Sequence, residues 1–228
     1  MKKIALAVFI LSVIGTLVHE LIGVPLLFAI SKPLIVVSLL AYYYVASQRE
    51  DRSPTFVIAL LACLAGDIFL MDPDYFIPGL VSFLIGHVLY IFSYRQHQSE
   101  DDVDSLRGIQ RVRLAFPIIL AGTGLVVILY PVLGDLQIPV MIYAAVITAM
   151  TLTALFRYGR TNTRSFWLVF SGAALFMISD SVLAFNKFLE PITNAGLYIM
   201  LTYMAAQFLI VEGILKHAST TEVGRIHA

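Results

Sequence analysis

Residues 54–71 read PTFVIALLACLAGDIFLM, and residues 165–185 read SFWLVFSGAALFMISDSVLAF. Each stretch is apolar and close to the ~20 residues that an α-helix needs to cross a bilayer. Each also carries one carboxyl group, Asp67 in the first and Asp180 in the second. A carboxylate in hydrocarbon costs ~3 kcal/mol or more unless it is paired, protonated or hydrated, so an intramembrane ionisable residue is a functional candidate by default. These two segments therefore point both to the fold class and to a site.

The rest of the chain agrees. Of its 228 residues, 59% are hydrophobic and 13% charged, with a mean hydropathy of +0.88. A soluble domain of this length carries far more charged surface. The apolar residues fall in long blocks between short polar joints, the pattern of an all-α polytopic integral membrane protein. The formal net charge is zero, which gives no electrostatic signature of a nucleic-acid partner. Cys63 is the single cysteine, so no intramolecular disulfide or cysteine-based metal site is expected, and Cys63 reads as a small packing residue. The opening Met1-Lys2-Lys3 before an apolar run resembles a signal peptide but lacks a small-x-small cleavage site, and is expected to be a retained first helix.

Eight transmembrane helices are expected, at about 3–19, 24–46, 54–71, 75–95, 113–131, 138–156, 165–186 and 194–216, from the ~20-residue rule. The joints favour an even number. With the amino terminus cytoplasmic, the inner segments hold Lys2, Lys3, Arg49, Arg52, Arg95, Arg107, Arg111, Arg113, Arg157, Arg160, Arg164, Lys216 and Arg225, thirteen of the fifteen basic residues. The outer joints hold only Lys187, and Lys32 lies inside the second span. This is a positive-inside pattern with both termini cytoplasmic. The joint from Gln96 to Gln110, acidic at Glu100, Asp101, Asp102 and Asp104, reads as a solvated loop. It separates two four-helix halves, about 1–100 and 110–228, within one integral membrane domain. Gly66-Asp67-x-x-Leu70 and Ser179-Asp180-x-x-Leu183 lie 113 residues apart, as do Tyr90 and Tyr203, which suggests an internal four-plus-four duplication.

The intramembrane polar residues are Lys32, Asp67, His87, Asp180, Asn186, Tyr203 and Gln207. Counted from the cytoplasmic end at ~1.5 Å per residue, Lys32, Asp67, Asp180 and Tyr203 share a layer roughly 18–23 Å deep, with His87 and Gln207 at roughly 12–14 Å. Four polar groups on four helices at one depth suggest a shared cavity. The structural alternative is a buried ion pair locking helices together. One lysine neutralises only one aspartate, however, and the second must be protonated, hydrated or hydrogen-bonded. His87 reads either as a bridge between helices or as a site residue. Pro33 kinks the second helix or frees a carbonyl beside Lys32. Glu212, one turn from the end of the last helix, reads as a snorkelling group or a partner for an inner arginine.

Ser31-Lys32-Pro33-Leu34, Gly66-Asp67-Ile68-Phe69-Leu70, Phe83 with Gly86-His87 and Tyr90, Ser179-Asp180-Ser181-Val182-Leu183-Ala184, and Tyr203 with Ala206-Gln207 and Leu209-Ile210 occur in that order along nearly the whole chain. Together they resemble the motifs of the YhhN-type lysoplasmalogenases, a family that includes the mammalian transmembrane lysoplasmalogenases. The resemblance implies hydrolysis of the vinyl ether bond of lysoplasmalogens to a fatty aldehyde and a glycerophospho-alcohol. The implied partners are a lysophospholipid substrate and the bilayer, and no metal or cofactor is implied.

Vinyl ether hydrolysis begins with slow protonation of the alkene carbon distal to oxygen, giving an oxocarbenium ion. Such a step needs a proton donor and a negative charge near the cation, roles that two carboxyl groups divide in glycoside hydrolysis. Asp67 and Asp180 are the expected catalytic pair, in either order. Lys32 is expected to pair with the ionised one or to bind the substrate phosphate. His87 and Tyr203 would orient water or a carboxyl group, and Gln207, Tyr90 and Asn186 are further binding candidates. The competing readings are a proton-coupled transporter of lipid or small solute, and a metal-dependent lipid hydrolase built on Asp67, His87 and Asp180. The short joints and two-lysine start fit a bacterial inner membrane.

Overall fold

The computed structural model describes residues 1–99 and 105–226, with side chains through 217. The acidic joint Glu100, Asp101, Asp102 and Asp104 lies outside the described residues, as does the side chain of Arg225. The described residues form eight α-helices: α1 Lys2–Ile22, α2 Pro25–Ala46, α3 Pro54–Phe69, α4 Phe76–Gln96, α5 Gly108–Leu129, α6 Gln137–Leu155, α7 Thr163–Phe188 and α8 Ala195–Ile226. Seven are long and apolar enough to cross a membrane; α3, with 16 residues, is shorter. The chain is an all-helical, multi-pass membrane protein.

Local chemistry sets the helix ends. Gly23 takes a left-handed conformation (φ 71°) that closes α1, and Pro25 and Pro54 open α2 and α3 without losing a backbone bond. Ser53 and Asn162 cap α3 and α7 by accepting the Phe56 and Ser165 N–H groups at 3.3 and 2.8 Å. α5 begins at Gly108, ahead of the expected 113, because the helix continues past the apolar block through Arg111, whose guanidinium stacks 4.0 Å over the Phe156 ring. Both internal prolines, Pro33 and Pro117, are carried inside helices.

Successive helices form hairpins. Lys2 Nζ donates to the Ala46 carbonyl (3.3 Å), Ser53 Oγ to Gln96 (3.1 Å) and Asn162 Nδ2 to the Lys216 carbonyl (3.1 Å). The starts of α1, α3 and α7 therefore lie beside the ends of α2, α4 and α8. α7 and α8 approach closely because Gly172 has no side chain: a Cβ there would come within 2.9 Å of the Ala206 carbonyl oxygen. The core joins Ile35, Leu39, Phe56, Phe83, Phe176 and Ile210 across five helices. α5 lies at the periphery, packed chiefly on α6. Many large apolar side chains, among them Leu11, Leu26, Val127 and Ile138, face outward, as a lipid environment requires.

One end of the bundle is tied by Arg157, which is fully buried. Its Nε and Nη2 donate to the His97 carbonyl (3.2 and 2.9 Å), and Nη2 also donates to Ser165 Oγ (2.9 Å). Ser165 Oγ in turn donates to the Gly213 carbonyl at 2.7 Å. The guanidinium thus links the ends of α4 and α8 to the start of α7. At the same end, Glu212 accepts from the Tyr42 hydroxyl, so it serves a tyrosine of α2 rather than an inner arginine.

Candidate active site

The two aspartates lie in different surroundings. Asp67, near the end of α3, is 2% exposed and accepts the Tyr203 hydroxyl of α8 at 2.5 Å. Tyr203 accepts from Gln207 Nε2 (3.2 Å), and Gln207 Oε1 accepts from the Tyr90 hydroxyl of α4 (2.7 Å). Asp67, Tyr203, Gln207 and Tyr90 therefore form one buried chain across three helices, in which each polar group has a partner. Gly66 makes room beside it: a Cβ there would fall 2.5 Å from Phe83 Cδ2, so only glycine lets that ring close on α3.

Asp180 of α7 accepts the Tyr143 hydroxyl of α6 at 2.5 Å, and its side chain remains 15% exposed. His87 Nε2 stands 4.0 Å from Asp180 Oδ2, beyond hydrogen-bond range. His87 is fully buried, and neither of its ring nitrogens has a hydrogen-bond partner among the described residues. The expected depth difference between His87 and Asp180 is closed by side-chain direction. Helical side chains tilt toward their own N-terminus, so groups on helices running in opposite directions lean toward each other.

Aromatic rings pack between the neighbours of the two carboxyl groups, which stay within electrostatic reach of each other. Phe176 stands edge-on to His87 (4.6 Å between centroids) and to Tyr203 (5.3 Å), and Phe83 stands edge-on to Tyr203 (5.9 Å). The shared cavity expected from the sequence is therefore divided. A narrow cleft with about 50 Å³ of free space reaches Asp180, Tyr143 and Ser181 but not Asp67, Tyr203 or Lys32. Its other walls are apolar, including Leu70, Phe83, Val140, Ile147 and Phe188.

Lys32 is buried on the far side, within electrostatic reach of Asp67 and Glu20, with its Nζ 5.0 Å from the Phe28 ring centroid. It makes no ion pair within 4 Å among the described residues. Asn186 is not drawn into the cluster; its side-chain oxygen accepts the Ile192 N–H at 2.8 Å and holds the α7–α8 turn. Among the described residues, no three His, Cys, Asp or Glu side chains converge as a metal site, so Asp67, His87 and Asp180 are not arranged as one. The 113-residue offset is not used symmetrically either. Tyr203 serves Asp67, whereas Tyr90 serves Gln207 and Asp180 draws its donor from α6. Tyr143 escapes sequence reasoning because a tyrosine in an apolar helix looks the same at an interface as at a site.

A polytopic helical bundle with two tyrosine-bound carboxyl groups, one buried and one open to an apolar cleft, has the features of a membrane-embedded lipid-processing protein. The YhhN family model matches residues 27–214, and the chain belongs to that family. Lysoplasmalogenase TMEM86B of Homo sapiens is 31% identical over 188 residues, covering 82% of this chain and 75% of the relative. Lysoplasmalogenase TMEM86A of Homo sapiens is 29% identical, covering 74% and 68%. A lysoplasmalogenase of Mycobacterium tuberculosis is 32% identical, covering 72% and 61%. No solved structure matches the chain.

Proposed function

We propose that this protein is a lysoplasmalogenase, hydrolysing the vinyl ether bond of a lysophospholipid within the membrane. The observation that carries the reading is a carboxyl group in the wall of an otherwise apolar cleft, in a chain whose relatives are named for this activity. Asp180 is the group positioned to meet the substrate. As the acid, it delivers a proton to the alkene carbon distal to oxygen. Positive charge then develops on the carbon bonded to oxygen, and the carboxylate left on Asp180 faces it. Water adds at that carbon and loses a proton, and the hemiacetal collapses to a fatty aldehyde and the glycerol hydroxyl. His87, whose ring nitrogens have no hydrogen-bond partner among the described residues and whose Nε2 lies 4.0 Å from Asp180, orients the water through a bridging hydrogen bond.

Asp67 acts from behind the aromatic rings. Held by Tyr203 and within reach of the Lys32 charge, it sets the local field rather than touching the alkene. Tyr90 and Gln207 fix the orientation of Tyr203. The chain is one integral domain with all eight helices spanning, the short α3 by local thinning of the bilayer. Both termini are cytoplasmic by the distribution of arginine and lysine, and the bacterial inner membrane is the proposed location.

The test is aldehyde release by purified protein in detergent micelles from alkenyl, ester and alkyl-ether lysophospholipids. Aldehyde from the alkenyl compound alone supports the proposal. None from any of the three overturns it and leaves the transport reading, which vesicle flux would then examine, since micelles hold no gradient.

A further inference from the structure

Lys187 is unclaimed by the mechanism. It is exposed at the end of α7 and is the sole lysine or arginine in the four joints at that end of the bundle. Its Nζ lies 4.5 Å from the centroid of the Phe76 ring. Phe76 meets Phe188 edge-on at 5.8 Å, and both rings line the cleft that reaches Asp180. Lys187 follows Asp180 by seven residues, two helical turns, so the two share a face of α7 about 10.5 Å apart along the axis.

The opposite limit of the cleft is apolar. Gly122 and Ala144 form its wall there, and the same two residues line a second groove between α5 and α6, whose walls include Val126, Val127 and Ala149. A hydrocarbon chain passing Asp180 therefore meets only small residues at that limit, where Gly122 packs directly on Thr148 of α6. That groove has no cationic partner for a phosphate, and its Thr123 and Thr148 hydroxyls already donate to backbone carbonyls of their own helices.

We propose that Lys187 binds the head-group phosphate of the lysophospholipid substrate at the end of the cleft lined by Phe76 and Phe188, and that the alkenyl chain runs inward past Asp180 toward Gly122. The proposal rests on the lysoplasmalogenase reading. It orients the lipid as the bilayer does, with phosphate at the surface and chain inward. The glycerol unit and its ether oxygen span most of the distance between the two side chains, and the flexible lysine covers the rest. The Phe76 ring supports the ammonium in that position.

The experiment compares wild type, Lys187→Gln and Lys187→Arg on alkenyl-glycerophosphoethanolamine and on alkenylglycerol, which lacks the phosphate. Lys187→Gln should raise KM for the phospholipid about tenfold, the scale of one charge-assisted hydrogen bond. Lys187→Arg should stay within about threefold of wild type, since it keeps the charge at the exposed position. On alkenylglycerol, wild type and Lys187→Gln should match. An unchanged KM for the phospholipid, or an equal rise on both substrates, overturns the proposal. If wild type releases no aldehyde at all, the hydrolase reading falls, and binding of an alkyl-ether lysophospholipid decides on Lys187 by itself. About tenfold weaker binding by Lys187→Gln supports the site, and equal binding rejects it. Glycerophosphate is the remaining arm: competition as strong as that of the lysolipid would mean a site for soluble phosphate and would overturn the lipid assignment.

Discussion

Removing one hydroxyl from each of two tyrosines should separate stability from activity. Tyr203→Phe deletes the donor to Asp67 and the acceptor for Gln207 Nε2. Asp67, Tyr203 and Gln207 are all buried, at 2%, 4% and 0% exposure, so two polar groups lose their partners where water does not reach them. Each such orphan costs about 1–3 kcal/mol, giving about 2–5 kcal/mol together after some mutual relaxation. For a chain of this size, that is a fall of about 5–15 °C in the unfolding midpoint. Tyr143→Phe makes the same chemical change beside Asp180, whose side chain faces the cleft and keeps 15% exposure. Solvent or substrate can replace the lost donor there, so the midpoint should move by less than about 3 °C, while turnover falls about tenfold or more as the carboxyl group loses its orientation. Thermal unfolding in one detergent, with aldehyde release measured well below the transition, reads both effects. Equal destabilisation by the two variants, or a Tyr203→Phe protein as stable as wild type, would refute the division into a sealed and an open carboxyl group.

Asp180→Asn and Asp67→Asn should each fold and each lose turnover, Asp180→Asn by about 10²–10⁴-fold as a general acid and Asp67→Asn by a smaller factor; near-normal aldehyde release from both would sink the mechanism. His87→Gln should lower turnover about tenfold or more with little change in KM, because it displaces the water rather than the lipid. Arg157→Met should destabilise the protein by about 2–4 kcal/mol, since the His97 carbonyl and Ser165 lose their donor, while the specific activity of the folded fraction holds; the readouts are unfolding midpoint and activity per folded molecule. Burial, with the Arg157 charge adding to it, pushes His97 below the usual histidine value of 6.5. The unfolded chain therefore binds the extra proton first. The associated stability is full above pH 6.5 and is lost as pH falls below it, by at most about 1.4 kcal/mol per unit. His97→Gln should flatten that acid-side decline, and an unchanged slope would remove His97 as its source.

Much of the fold was legible in the chain itself. Spans of apolar sequence interrupted by short polar joints have one solution in lipid, because every backbone group must bond within its own helix. The helix ends departed from expectation where charged residues continued a helix beyond its apolar block, as Arg111 does in α5. The site was partly legible for the same energetic reason. Asp67, Asp180, His87, Tyr203 and Gln207 stood out because polar groups are expensive in those segments, and the structure places all five within two neighbouring clusters. Tyr143, Lys187 and Arg157 carry no such mark. A tyrosine or a basic residue near a membrane surface is commonplace, and only its neighbours show whether it binds a carboxyl group, guards a cleft or ties three helices.

The sequence by itself determined that this chain crosses the membrane several times and carries carboxyl groups where hydrocarbon penalises them. Those facts follow from transfer free energies, which depend on residue type and order alone. Which aspartate faces a cleft was decided only by tertiary structure. Phe83, a motif residue with no role legible in the sequence, and Phe176, an ordinary core residue there, pack edge-on between the two clusters, with Asp67 bound to Tyr203 and Asp180 open to the cleft. Packing of that kind depends on how helices distant in sequence are rotated against one another, and no local pattern of residues records that rotation.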